Sequence, residues 1–122
     1  WETFVIDMPD RSLTRKIVNL YCDALPNGWS GRRLLRLCKE IGLQDAVVNT
    51  CVLIFTDFSV LDQLFGLTNI VTGAHQAGVV TPQEGERWLN SLKKTSDEGL
   101  FFSCLDVPPW SVAVTFRVRG LQ

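Results

Sequence analysis

Histidine is almost absent from this sequence, and its cysteines are few and scattered. The 122 residues contain one histidine, His75, and four cysteines with no Cys-x-x-Cys pair. A zinc site needs several such side chains at short, regular spacing, so we expect no metal ligands. We expect buried, reduced thiols and a cytoplasmic protein, with a disulfide pair as the alternative that the spacing leaves open.

Long apolar runs and an excess of either charge are also missing. The longest apolar run, Cys51 to Phe55, is far shorter than the roughly 20 residues that cross a bilayer. Twelve basic and thirteen acidic residues give a formal net charge of −1. We therefore expect no membrane partner and no nucleic-acid partner. One helix face is basic, and we interpret it as a solvated face rather than a phosphate-binding strip: Arg32, Arg33, Arg36 and Lys39.

Two signatures of catalysis are absent. No Gly-x-Gly-x-Gly loop follows a hydrophobic strand, and no Gly-x-Ser-x-Gly elbow occurs. His75, the only imidazole base, falls on the apolar side of a predicted helix, which favours a role in the core. Helix capping accounts for Asp57, and turn chemistry accounts for Asp10. We assign no catalytic residue and no cofactor-binding residue from these patterns.

Apolar periodicity predicts four helices. The first runs from Asp10 or Ser12 to Leu25, and the second from Ser30 to Ile41, with Gly42 as its exit. The third begins at Asp57 or Ser59 and ends near Gly78, softened by interior glycines. Thr81-Pro82-Gln83-Glu84 is typical of a capping box and starts the fourth helix, which Asp97-Glu98-Gly99 ends.

Four runs rich in β-branched and aromatic residues predict strands. They are Thr3 to Ile6, a largely buried run Ala46 to Phe55, Leu100 to Leu105, and an alternating run Ser111 to Val118. No repeat or long linker divides the chain. The sequence therefore predicts a single α+β domain over residues 1–122, with about four helices packed on a small, mainly antiparallel sheet.

Several segments resemble the carboxy-terminal half of class I S-adenosylmethionine-dependent methyltransferases. Gly31 to Leu43 (GRRLLRLCKEIGL), followed by Asp45 to Val48 (DAVV), resembles the last crossover helix and sixth strand of that family. Trp1 to Asp7 (WETFVID) resembles the segment after the family's fifth strand, and residues 58–95 resemble an insert that covers the substrate. Ser111 to Val118 would be the seventh strand, antiparallel beside the sixth.

This resemblance implies the carboxy-terminal part of a Rossmann-like methyltransferase fold, without the half that binds the methyl donor. It places Trp1, Asp7 and His75 near the substrate, a small apolar or aromatic molecule. The cofactor half would lie upstream of Trp1, which is not a methionine, or in a partner chain. The chain alone is then expected to bind no S-adenosylmethionine and to have no methyltransferase activity. A homodimer, or another homo-oligomer, is the second way to cover the apolar surface that a separated half exposes.

A second hypothesis comes from a different class of protein. The chain would be a stand-alone structural or oligomerisation protein that binds no small ligand. Four tryptophans and seven phenylalanines are compatible with either hypothesis, because aromatic residues dominate both core and interface packing.

Overall fold

The computed structural model of the chain describes residues 4–26, 30–43 and 51–107. Over these ranges the chain is α+β, as predicted, with five helices and three strands. The helices are α1 (Arg11–Ala24), α2 (Ser30–Glu40), α3 (Phe58–Phe65), α4 (Leu67–Gln76) and α5 (Pro82–Asp97), and the strands are β1 (Val5–Ile6), β2 (Cys51–Phe55) and β3 (Ser103–Val107). In these ranges no helix is long and apolar enough to cross a membrane.

The sheet has β3 at its centre, in the order β1-β3-β2. Both pairings are antiparallel, with Val5 opposite Cys104 and Leu53 opposite Leu105, so the small antiparallel sheet is confirmed. Ser103 is fully buried, and its hydroxyl donates to the Val5 carbonyl at 2.9 Å, which ties the short strand β1 to β3. The strand predictions at Thr3, at residues 46–50 and at Ser111–Val118 lie outside the described residues.

The prediction of a largely buried strand is wrong for its described part, β2. Val52 is 56% exposed, Leu53 38% and Ile54 61%. Successive side chains of a strand point to opposite faces, so β2 is exposed on both faces of the described sheet, at whose edge it lies. The apolar composition of this run therefore does not predict its burial.

Side-chain caps start the helices where the sequence predicts them. The Asp10 carboxylate accepts a hydrogen bond from the Leu13 amide at 3.0 Å and so fixes the start of α1. The capping box of α5 is complete, because the Thr81 hydroxyl accepts from the Glu84 amide at 3.1 Å and the Glu84 carboxylate accepts from the Thr81 amide at 2.9 Å. These bonds satisfy amide groups that a helix cannot pair within itself.

The third predicted helix is in fact two helices, so the expected four become five. Gly66 adopts a left-handed backbone conformation (φ 66°) that ends α3. The Asp62 carboxylate then accepts hydrogen bonds from the amide and the hydroxyl of Thr68, at 2.7 and 2.8 Å, and so supports the first turn of α4. The periodicity of the sequence continues across this break, which is why it predicts one helix.

The core forms where α1, α3, α4 and α5 meet the sheet. Its largest fully buried apolar side chains come from all four helices: Ile17, Leu61, Leu67, Trp88 and Leu92. The Trp88 indole N–H donates to the Thr14 hydroxyl at 2.9 Å inside this core. At the surface, Arg87 and Asp10 form an ion pair at 3.5 Å that also joins α5 to α1.

Helices α4 and α5 approach so closely that only glycine fits at residue 85. A Cβ atom there would lie 2.6 Å from Val71 Cγ1, whereas a Cβ atom at Gly73 meets nothing within 4 Å. We expect Gly85→Ala to lower the free energy of unfolding by about 1 to 3 kcal/mol. The matched control Gly73→Ala should raise it by up to about 1 kcal/mol, because alanine favours helix.

Urea denaturation measures both changes. If steric contact is the cause, Val71→Ala should cost less in the Gly85→Ala background than in the unaltered protein. Additive effects would contradict this explanation.

The cap of α3 predicts a pH dependence of stability. Asp57 accepts hydrogen bonds from the Ser59 hydroxyl at 2.7 Å and the Ser59 amide at 2.8 Å, and these bonds lower its pKa. A carboxylate with a lower pKa when folded stabilises the protein above its unfolded pKa, and this contribution disappears as pH falls through the folded pKa. Asp57→Asn should therefore be less stable at neutral pH, with the difference narrowing in acid.

Urea denaturation at neutral pH and at acid pH tests this expectation. Asp97→Asn is the control, because the Asp97 carboxylate makes no hydrogen bond to another described residue. The same pH dependence in both variants would contradict the capping explanation.

Candidate functional site

A cleft of about 640 Å³ lies between β1, the residues that follow it, and α1. Its apolar lining residues come from the segment around β1, from α1 and from the residue that precedes β3: Phe4, Val5, Ile6, Met8, Val18 and Phe102. Its polar lining residues are Asp7, Arg11, Thr14, Arg15, Asn19 and Cys22. The lining suits a small molecule with an apolar body and few polar groups.

The apolar part of the cleft has a buried base and exposed walls. Phe4 and Met8 are buried, whereas Val5 is 52% and Phe102 40% exposed. Phe4 also packs against Tyr21, with ring centroids 5.9 Å apart. Burial raises the pKa of Tyr21 above its ordinary value, with a smaller contribution from the charge of Cys22. An aromatic ligand in the cleft would contact the buried Phe4 and Met8 and the exposed ring of Phe102.

Asp7, which the resemblance gives as a substrate-facing residue, directly follows β1 and lines the cleft. Its amide donates to the Phe102 carbonyl at 3.0 Å, so the backbone at this position is fixed. Its carboxylate is exposed and makes no hydrogen bond or ion pair with another described residue. The group is therefore available to accept a hydrogen bond from a hydroxyl or amine of a ligand.

Arg11 and Arg15 also line the cleft, one helical turn apart on α1. Both are exposed, and neither guanidinium pairs with another described residue. The sequence gives only a weak indication that these arginines line a cleft, because they occupy polar positions between the apolar residues of an amphipathic helix. Phe102 was predicted only as part of a strand, and its place in the cleft depends on the pairing of β3 with β1.

His75 lies elsewhere. It lines a separate groove of about 400 Å³ between α4 and α5, next to Glu86 and Lys93, and this groove shares no lining residue with the cleft. His75 is exposed, so its predicted place on the apolar side of a helix is wrong. The buried stripe of α4 runs through Leu67, Val71 and Ala74, and His75 projects beside it in the last turn.

The three residues that the resemblance places near the substrate are thus not brought together. Asp7 and His75 line different depressions, and Trp1 lies outside the described residues. Their assignment to the substrate remains a prediction. Of the three, Asp7 is the one that lines the larger of these two depressions.

The described residues contain no positive-φ glycine that directly follows a strand. Their glycines with positive φ, Gly42, Gly66, Gly78 and Gly99, each follow a helix rather than a strand. None of them therefore forms the glycine-rich turn between a strand and a helix that holds a nucleotide-like cofactor. Within the described ranges, no three His, Cys, Asp or Glu side chains are grouped to hold a metal ion.

Comparisons with known proteins give one informative relative. No protein-family model and no solved structure matches the chain. An uncharacterized 37.1 kDa protein in transposon TN4556 of Streptomyces fradiae is 31% identical over 93 residues. These residues are 75% of this chain and 27% of that protein. The chain therefore spans about a quarter of the length of the curated relative it matches.

The exposure of Asp7 and His75 predicts that neither is needed for folding. We expect Asp7→Asn and His75→Gln each to change the free energy of unfolding by less than about 0.5 kcal/mol, as is usual for surface substitutions. Urea denaturation measures this, with Thr14→Val as a destabilising comparison because it leaves the buried Trp88 N–H without its acceptor. A loss at Asp7 as large as that at Thr14 would show that Asp7 is structural.

Proposed function

We propose that this chain is the substrate-side part of a methyltransferase-like protein, and that its cleft binds a small apolar or aromatic molecule. The observation that carries the proposal is the cleft itself, which has a buried aromatic base and an available carboxylate. Asp7 borders it at the position that the family resemblance gives to a substrate-facing residue.

The arrangement of the strands supports the family assignment. β2 is the carboxy-terminal end of the predicted run Ala46 to Phe55, whose first residues resemble the family's sixth strand, and β3 is its antiparallel neighbour. An antiparallel strand beside the sixth is what the resemblance implies for the seventh. The sequence places that seventh strand at Ser111–Val118, whereas β3 occupies Ser103–Val107. The proposal therefore assigns the role of seventh strand to β3.

The methyl donor comes from outside this chain in the proposal. S-adenosylmethionine supplies the methyl group in this family, and the described residues contain no glycine-rich turn to hold it. About three quarters of the transposon relative lies outside the matched region, since the match covers 27% of it. A donor-binding part on the same polypeptide or on a partner chain is compatible with that difference in length.

The contribution of this chain is binding and orientation. The apolar body of the substrate packs on Phe4 and Phe102, and burial of apolar surface supplies most of the affinity. Asp7 accepts a hydrogen bond from a hydroxyl or amine and so fixes which end of the molecule faces the donor. His75 has no part in this cleft, because it lines the groove between α4 and α5.

A structural or oligomerisation protein is the second candidate, and the exposure of β2 favours it. Val52 and Ile54 are 56% and 61% exposed on a strand that lies at the edge of the described part of the sheet. Unpaired edges with apolar side chains readily add a strand from another chain. In this alternative the protein forms a stable homo-oligomer, and the cleft binds no small aromatic molecule.

Isothermal titration separates the two candidates. We expect no saturable binding of S-adenosylmethionine to the purified chain, and saturable binding of a neutral aromatic probe, 2-naphthalenemethanol. At one hundred times its dissociation constant, the probe should stabilise the fold by about 2.7 kcal/mol in urea denaturation. Phe102→Ala should weaken probe binding because Phe102 lines the cleft.

Leu100→Ala is the matched control, since Leu100 is 67% exposed and does not line the cleft. Saturable binding of S-adenosylmethionine would contradict the proposal that the donor is held elsewhere. Absence of probe binding by an oligomer, measured by light scattering, would favour the structural alternative.

A further inference from the structure

We propose that the ligand of the cleft carries an anionic group, such as a carboxylate, which Arg11 and Arg15 recognise. This inference rests on the proposed function and deepens it, because it names the chemical class of the small molecule. The ligand would be amphiphilic, with an apolar ring or chain at one end and one negative charge at the other.

The charge of the cleft lining is the first argument. Two guanidinium groups and one carboxylate line it, so its net charge is positive although the whole chain has a formal charge of −1. Low-dielectric walls such as Phe4 and Met8 strengthen the attraction of an anion to these groups. The lining therefore complements an apolar anion better than a neutral molecule or a cation.

The pairing of the arginines is the second argument. Three other exposed cations have carboxylate partners: Arg36 lies 3.4 Å from Glu40, Arg87 3.5 Å from Asp10 and Lys94 4.0 Å from Glu98. Arg11 and Arg15 make no such pair among the described residues, although Asp7 lines the same cleft. Within the described part of the chain, no carboxylate therefore competes with a ligand for their donors.

Guanidinium chemistry explains why a carboxylate fits. Each guanidinium presents a planar fork of N–H donors that matches the two oxygens of a carboxylate. Arg11 and Arg15 are four residues apart and so lie on the same face of α1. Asp7 repels an anion, and a ligand therefore places its charged group against α1 and its apolar body along Val5 and Phe102.

Three naphthalene probes whose substituents are anionic, neutral and cationic test the inference: 2-naphthoate, 2-naphthalenemethanol and 2-naphthylmethylammonium. We expect 2-naphthoate to bind roughly two- to fivefold more tightly than the neutral alcohol, which is the range of exposed ion pairs. The ammonium compound should bind more weakly than the alcohol. The preference for the anion should shrink as salt concentration rises, because salt screens exposed charges.

Arg11→Gln and Arg15→Gln should each reduce the preference for 2-naphthoate while leaving affinity for the alcohol unchanged. Lys16→Gln is the matched control. This substitution removes the same charge from α1, and Lys16 does not line the cleft. A simple effect of net charge would lower the preference equally in all three variants and would overturn the inference.

The outcomes separate the inference from the proposed function. If the alcohol and 2-naphthoate bind equally, the cleft binds small aromatic molecules but does not select an anion, so only the inference fails. If none of the three probes binds, the proposed function fails and the inference fails with it. A preference for 2-naphthoate that survives both arginine substitutions would overturn the assignment to Arg11 and Arg15.

Discussion

The buried Trp88 indole sets the constraint on which the packing of this protein depends. Trp88 is 1% exposed, and a buried N–H without an acceptor costs about 1 to 3 kcal/mol. The Thr14 hydroxyl supplies that acceptor at 2.9 Å, so α1 must lie against α5 at one rotation and one height. The surface ion pair between Arg87 and Asp10 links the same two helices, but its exposed groups contribute little.

The position of α1 in turn forms the cleft. Thr14 both holds Trp88 and lines the cleft, so the rotation that satisfies the indole also places Arg11 and Arg15 along the cleft wall. The opposite wall is fixed through the sheet, where the Ser103 hydroxyl binds the Val5 carbonyl and the Asp7 amide binds the Phe102 carbonyl. Core packing and candidate ligand binding therefore depend on the same contacts.

Local chemistry made some features predictable and concealed others. The capping box at Thr81 was predicted because it involves residues three positions apart, whereas Asp10, predicted as a turn residue, caps α1. The break at Gly66 was not, because the apolar period continues across it while Asp62 rebuilds the next helix start. The exposure of β2 was missed for a related reason: an apolar strand has the same composition at the edge of a sheet as at its centre.

By itself, the sequence determined the α+β class, most helix starts and the absence of a glycine-rich loop, since these depend on neighbouring residues. Of the three residues that the resemblance gave as substrate-facing, Asp7 lines the cleft. Only the tertiary structure decided that Phe102 faces Asp7 and that His75 lines a different groove. The first relation joins parts of the chain that are almost a hundred positions apart, and the second depends on where a side chain lies around its helix. Both are set by packing rather than by local preference.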